Sequence, residues 1–132
     1  MKKLDLTSLE KALTSLHKAI ERYAREPEDE ELRDSVIQRF GTSYELCWKM
    51  LSKELHKQAP SPSQTPSLDF KSLMREGSRF GLIDDSEAWF EYRRMRNITS
   101  HSYDEATAEK VAGSAKSFLK DAKSLLEAPE KG

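Results

Sequence analysis

The run Arg96-Asn97-Ile98-Thr99-Ser100-His101-Ser102-Tyr103 concentrates chemistry in one short stretch. Arg96 is a permanent cation, His101 exchanges protons near neutral pH, and Tyr103 carries a phenol. That combination suits a phosphodiester or a nucleotide. Cleaving RNA without a metal needs a base for the 2′-hydroxyl proton, an acid for the leaving 5′-oxygen, and positive charge on the developing phosphorane. His101 can carry one proton and Arg96 can clamp the phosphate. One histidine cannot act on both sides of the phosphorus at once, whereas two copies related by a two-fold axis can, leaving a 2′,3′-cyclic phosphate and a 5′-hydroxyl. Arg93, Arg94 and Arg96 make a local basic patch, with Arg93 and Asn97 as candidate ligand-binding residues. A helix end beside His101 favours imidazolium while the arginines oppose it.

The spacing constrains what must hold these residues. On a continuous helix Asn97 and His101 share a face and Arg96 and His101 do not, so Arg96 and His101 converge only where the helix ends between them. Asp104 is a good cap for a new helix and marks such an ending. The other reading is structural: an arginine near a helix end is commonly solvated or bonded to a carbonyl, and a histidine there commonly serves packing.

Apolar periodicity gives an all-α protein. Leu9, Leu13, Leu16, Ile20 and Tyr23 form one stripe on a first helix over 7–25, broken by Pro27 and Glu28-Asp29-Glu30. A second helix carries Leu32, Val36, Phe40, Tyr44, Cys47, Leu51 and Leu55. Ile37, Trp48 and Met50 widen its stripe, and Gly41 offers a place for close helix approach. The segment 58–66, with three prolines, reads as an exposed connection. A short third helix over 67–79 uses Leu68, Phe70, Leu73 and Met74 and ends at Gly81. Asp84-Asp85-Ser86-Glu87 open a fourth over 86–99, with Ala88, Tyr92, Met95 and Thr99 on one face. The fifth, over 105–126, presents Val111, Ala115, Phe118, Ala122 and Leu125. The expected architecture is an up-and-down four-helix bundle with an additional short helix, forming one domain over 1–132. Trp48, Trp89 and Phe90 exceed what one small bundle needs and are candidates for a dimer face, though core packing is the commoner role for any one of them.

Composition sets further bounds. The 132 residues carry 34% charged side chains but a net charge of only −1, so any RNA or nucleotide site is local. The single cysteine, Cys47, excludes an internal disulfide and reads as a buried thiol. No apolar run approaches the roughly 20 residues of a membrane span, and residues 1–5 lack a signal-peptide core, which makes the expected location cytoplasmic. Glycine-rich phosphate loops, metalloprotease and serine-hydrolase signatures are absent, and no cofactor is expected. His17 and His56 lack ligand companions, and Glu45 and Glu91 read as solvated charges.

Arg96, Asn97, His101 and Tyr103 resemble the R-x4-H-x-Y signature of the HEPN superfamily. The resemblance is to the small helical proteins that accompany minimal nucleotidyltransferases, as substrate-binding partners or as toxins of HEPN/nucleotidyltransferase pairs. Residues 34–40 and 44–49 are similar to the second helix of the substrate-binding subgroup. The resemblance implies a helical homodimer with the fourth helices facing each other. It also implies catalytic roles for Arg96 and His101, and Tyr103 as the hydroxyl that a cognate nucleotidyltransferase modifies with AMP to silence a nuclease. Nucleotidyl transfer itself would need a separate chain, because this one lacks the Gly-Ser and paired-aspartate signature. Three functions stand open: an RNA-cleaving toxin, a noncatalytic nucleotide- or substrate-binding subunit, and a dimerisation module whose motif is structural.

Overall fold

A computed structural model describes residues 7–58, 70–79, 81, 83, 85–98 and 104–131. The chain order is α1 (Thr7–Arg25), α2 (Glu30–Gln58), α3 (Phe70–Arg79), α4 (Ser86–Ile98) and α5 (Glu105–Lys131). Helices α1, α2, α4 and α5 form an up-and-down four-helix bundle, and α3 is the additional short helix. α2 packs against all four other helices, and α5 closes the bundle on α1, α2 and α4.

Aspartate caps begin three of the helices by one device, a side-chain oxygen that accepts the otherwise unmet N–H groups of the first turn. Asp29 Oδ1 accepts from the N–H of Glu31 at 2.9 Å and of Leu32 at 3.1 Å. Asp85 Oδ1 accepts from Glu87 N–H at 3.0 Å, and Asp104 Oδ1 from Thr107 N–H at 2.7 Å. The Thr107 bond holds the Asp104 carboxyl below its ordinary range. Gly81, with φ of 77°, makes the left-handed turn beyond α3, where its N–H donates to the Ser78 carbonyl at 3.1 Å.

The expected stripes form the core. Leu9, Leu13 and Leu16 of α1, Val36, Phe40, Tyr44, Cys47 and Leu51 of α2, and Val111, Ala115, Phe118, Ala122 and Leu125 of α5 are all buried. Phe118 is its centre. Its ring meets Phe40 at 4.9 Å, Tyr92 at 5.3 Å and Trp89 at 5.7 Å, each edge-to-face, the geometry that the aromatic quadrupole favours. Burial pushes the Cys47 thiol up, as a fully desolvated thiol requires.

Several expectations are corrected. Trp89 is only 2% exposed and belongs to the core, so it is not available as a dimer face. The apolar seam of α4 runs Trp89-Tyr92-Met95, and Ala88 sits at its edge. Gly41 does not serve close approach, because a Cβ there would meet nothing within 4 Å. The close approach lies at Gly77, where a Cβ would stand 3.1 Å from Leu51 Cδ1. α5 runs through Pro129 to Lys131 rather than stopping at residue 126. A proline near a helix end removes one backbone bond, and Glu127, Ala128, Glu130 and Lys131 around it are helix formers. The proline-rich segment 59–66, the start expected for α3 at 67–69, and Thr99 lie outside the described residues.

Candidate functional site

α4 ends its described course at Ile98 and α5 begins at Glu105, so Arg96 sits in the last turn of α4, before the position of His101. His101 and Tyr103 lie outside the described residues. Arg93, Arg96 and Asn97, spaced three, four and one apart, share the face of α4 that looks toward α2. Across from them on α2 stand Tyr44, Glu45 and Trp48, where one helical turn separates Tyr44 from Trp48. These six residues line an open groove of about 300 Å³.

Arg96 Nη2 pairs with Glu45 Oε1, joining α4 to α2. Both side chains are 39% exposed, so the pair lies at the groove surface and is open to ligand. One guanidinium arm is engaged in that contact, and a guanidinium carries five donors. Arg94 faces elsewhere: its Nη2 and Nε donate to the Glu91 carboxylate at 2.6 and 3.1 Å along the exposed surface. The arginine cluster is therefore divided, with two of its members on the groove and one in a local pair. Burial pushes the Tyr44 phenol well above its usual value, and the charges of Arg93 and Arg96 act on it in the opposite direction. Tyr44 thus enters the site as a neutral group.

One helical turn before Arg96, and toward α5, the Tyr92 hydroxyl donates to Asp121 Oδ2. Burial first, and this bond second, hold the Tyr92 proton more tightly. With Trp89 and Tyr92 both against Phe118, the groove-bearing face of α4 rests on a fixed aromatic base.

Glu45 is the residue that sequence reasoning misses: its type and position read as a solvated charge, whereas in the fold it pairs with Arg96. It lies next to the apolar position Tyr44 and one turn before Trp48, and that position at the edge of a buried stripe was the available signal. The other readings of this kind fit the structure: Glu91 is a surface partner of Arg94, and His17 pairs with Glu21 on the exposed side of α1. The side chain of His56 lies outside the described residues. A second depression, about 260 Å³ between α1 and α2, has a different character. Its arginine, Arg39, donates to the Ser15 carbonyl at 3.0 Å, and it has no aromatic wall. Among the described residues, no three His, Cys, Asp or Glu side chains are grouped to hold a metal ion, and no helix is long and apolar enough to cross a membrane.

Comparison with known proteins gives a consistent placement. The family described as nucleotidyltransferase substrate binding protein like matches residues 4–131. A Haemophilus influenzae protein named a probable ribonuclease HepT is 42% identical over 92 residues, which are 70% of this chain and 63% of that protein. The chain thus matches less than two thirds of that relative's length. A solved Haemophilus influenzae structure, described as the fold of a substrate binding domain of a nucleotidyltransferase, superposes with a TM-score of 0.87 at 34% identity. That superposition covers 94% of this chain and 98% of the other. A Thermus thermophilus crystal structure shares the fold at 23% identity, with a TM-score of 0.75 over 91% of this chain and 97% of the other. The chain belongs to the nucleotidyltransferase substrate binding protein-like family, the HEPN-type group that its motif residues resemble.

Proposed function

We propose that this protein is a HEPN toxin-like, metal-independent endoribonuclease, acting in the cytoplasm and held in check by a cognate minimal nucleotidyltransferase. The observation that carries this reading is the groove at the end of α4. There Arg96 is braced by Glu45 and flanked by Arg93 and Asn97, immediately before the position from which His101 and Tyr103 follow. In this mechanism Arg93 and Arg96 hold the scissile phosphate and stabilise its developing charge, and Asn97 orients the strand. His101 moves the proton. Two copies in a homodimer supply the base and the acid, one from each protomer.

The likeness to a probable ribonuclease supports the nuclease reading. A second reading, a noncatalytic subunit that presents a nucleotide or substrate to the nucleotidyltransferase, draws on a different observation. The family that matches residues 4–131 is described by nucleotidyltransferase substrate binding and not by cleavage.

His101→Ala separates the two. In a nuclease it lowers cleavage by roughly two to four orders of magnitude while RNA binding holds. Arg96→Ala weakens binding of RNA or nucleotide in either case. Absence of cleavage by the wild-type protein across several RNAs overturns the nuclease reading, and equal affinity in the Arg96 variant removes the groove from both. The proposed control is tested by mass: incubation with the cognate nucleotidyltransferase and ATP adds AMP at Tyr103, activity falls in parallel, and Tyr103→Phe escapes both. A label found elsewhere overturns that assignment.

A further inference from the structure

The groove holds two residues that the proposed cleavage chemistry leaves unused, Tyr44 and Trp48, and of these Tyr44 is buried whereas Trp48 is partly exposed. The chain has two tryptophans. Trp89 is enclosed in the core, whereas Trp48 packs only partly against it and lines the groove opposite Arg93 and Asn97. A large aromatic left half-open beside two guanidinium groups gives up part of its hydrophobic burial, and in that setting its ring face is the natural seat for another flat, apolar surface.

We propose that Trp48 is the base-stacking platform of a one-nucleotide subsite, so that the groove recognises a nucleoside monophosphate unit by its base as well as by its phosphate. This inference rests on the reading that the groove binds RNA or nucleotide, and it supplies the half of the ligand that arginines cannot recognise. The dimensions fit. A volume of about 300 Å³ lies at the lower end for ligand pockets and holds a single nucleotide rather than a longer segment. The division of labour follows from the two walls: Trp48 on α2 faces the base, and Arg93 and Arg96 on α4 face the phosphate, with Arg96 paired across the groove surface to Glu45. A base can reach an aromatic wall only when unstacked, so the substrate class is single-stranded. Stacking tolerates any base because every base has a π-face, and Asn97, with a donor and an acceptor on its amide, is the groove residue able to read a base edge.

The two tryptophans make the test direct. Trp89 is shielded, so quenching of indole emission by a ligand in the groove reports on Trp48. The probes are a 2′-O-methyl oligoadenylate, which cannot be cleaved through its 2′-hydroxyl, its abasic counterpart, AMP and ribose 5-phosphate. The expected result is saturable quenching by the oligoadenylate or AMP, with binding about tenfold or more tighter than that of the matched baseless probe. Trp48→Leu removes that difference and leaves the baseless probes bound as before, while Trp48→Phe retains most of it. Because the difference between matched probes is read in the wild-type protein, the test does not depend on either variant folding well. Equal binding of base-bearing and baseless probes, or binding without quenching, overturns the stacking role and leaves the phosphate site standing. Binding by none of the four overturns the subsite together with the nucleotide reading of the groove. Stacking without cleavage of any RNA overturns the nuclease reading alone.

Discussion

Glu45→Gln tests whether the groove is a phosphate site, because glutamine keeps the shape and one acceptor oxygen but removes the charge. The structural cost is small. With both partners of the Glu45–Arg96 pair 39% exposed, solvent screens the interaction, and such pairs contribute about 0.2–1 kcal/mol. Binding changes more. A phosphate held by the Arg96 guanidinium on the side away from Glu45 would stand roughly 7 Å from the Glu45 carboxylate, and at an effective dielectric of about 40 their repulsion is about 1.2 kcal/mol. Removing it tightens oligonucleotide binding roughly sevenfold at low salt. At physiological ionic strength the Debye length is about 8 Å, which reduces the gain to about twofold. Cleavage moves the other way. An arginine side chain has about 2 kcal/mol of rotamer entropy, and freeing half of it slows turnover roughly fivefold. Titration of a non-cleavable oligonucleotide at two salt concentrations, with single-turnover cleavage alongside, measures both effects. Wild-type affinity at low salt in the Glu45 variant would mean that no phosphate binds beside Arg96, and the proposed site would fall.

The core makes its own predictions. Phe118→Ala removes the ring on which Phe40, Trp89 and Tyr92 converge and should cost about 3–5 kcal/mol in chemical denaturation, with loss of groove binding before global unfolding. Tyr92→Phe should cost about 1–2 kcal/mol near neutral pH by deleting the bond to Asp121. The folded chain holds the Tyr44, Tyr92 and Cys47 protons more tightly than the unfolded chain does. Stability should therefore fall as pH rises past the ordinary values of 9 for the thiol and 10 for the phenols, with a shallower fall in Tyr92→Phe. Cys47, 1% exposed, should react with thiol reagents only at the rate of global unfolding, and faster modification in native conditions would contradict its burial.

The stripes of α1, α2 and α5 were legible because each follows from a periodicity confined to one helix, and the Asp104 cap was legible because capping is local. What one chain does not announce is which helix lies beside which. Glu45 and Arg96 are far apart in sequence, and nothing in either neighbourhood states that α2 and α4 place them in contact. The two tryptophans show the same limit. Each sits on a partly apolar helix, and only the packing separates Trp89, against Phe118, from Trp48, on the groove. The arginine cluster was visible as charge, but its division required knowing that Glu91 lies one turn from Arg94 on the solvent side. The far ends of the proposed motif, His101 and Tyr103, fall outside the described residues, and their roles rest on the family resemblance.

That segment is nevertheless bracketed by two fixed points. On one side Arg96 is tied to α2 through Glu45, and on the other Asp104 begins α5 by accepting from Thr107 N–H. The Asp104 carboxyl titrates below its ordinary value, so its contribution is complete above the unfolded value of 3.8 and is lost only as pH falls through the folded one. At neutral pH the cap is fully in place. If His101 acts from a chain anchored at both ends, loosening the second anchor should harm chemistry and spare binding, because Trp48, Arg93, Arg96 and Asn97 do not lie on α5. Asp104→Ala should therefore lower the single-turnover cleavage rate severalfold at unchanged oligonucleotide affinity, and Asp104→Ser, which restores a capping oxygen, should recover most of the rate. A serine variant as impaired as the alanine one, or an equal loss of affinity in both, would show that Asp104 acts by some route other than anchoring the segment that carries His101.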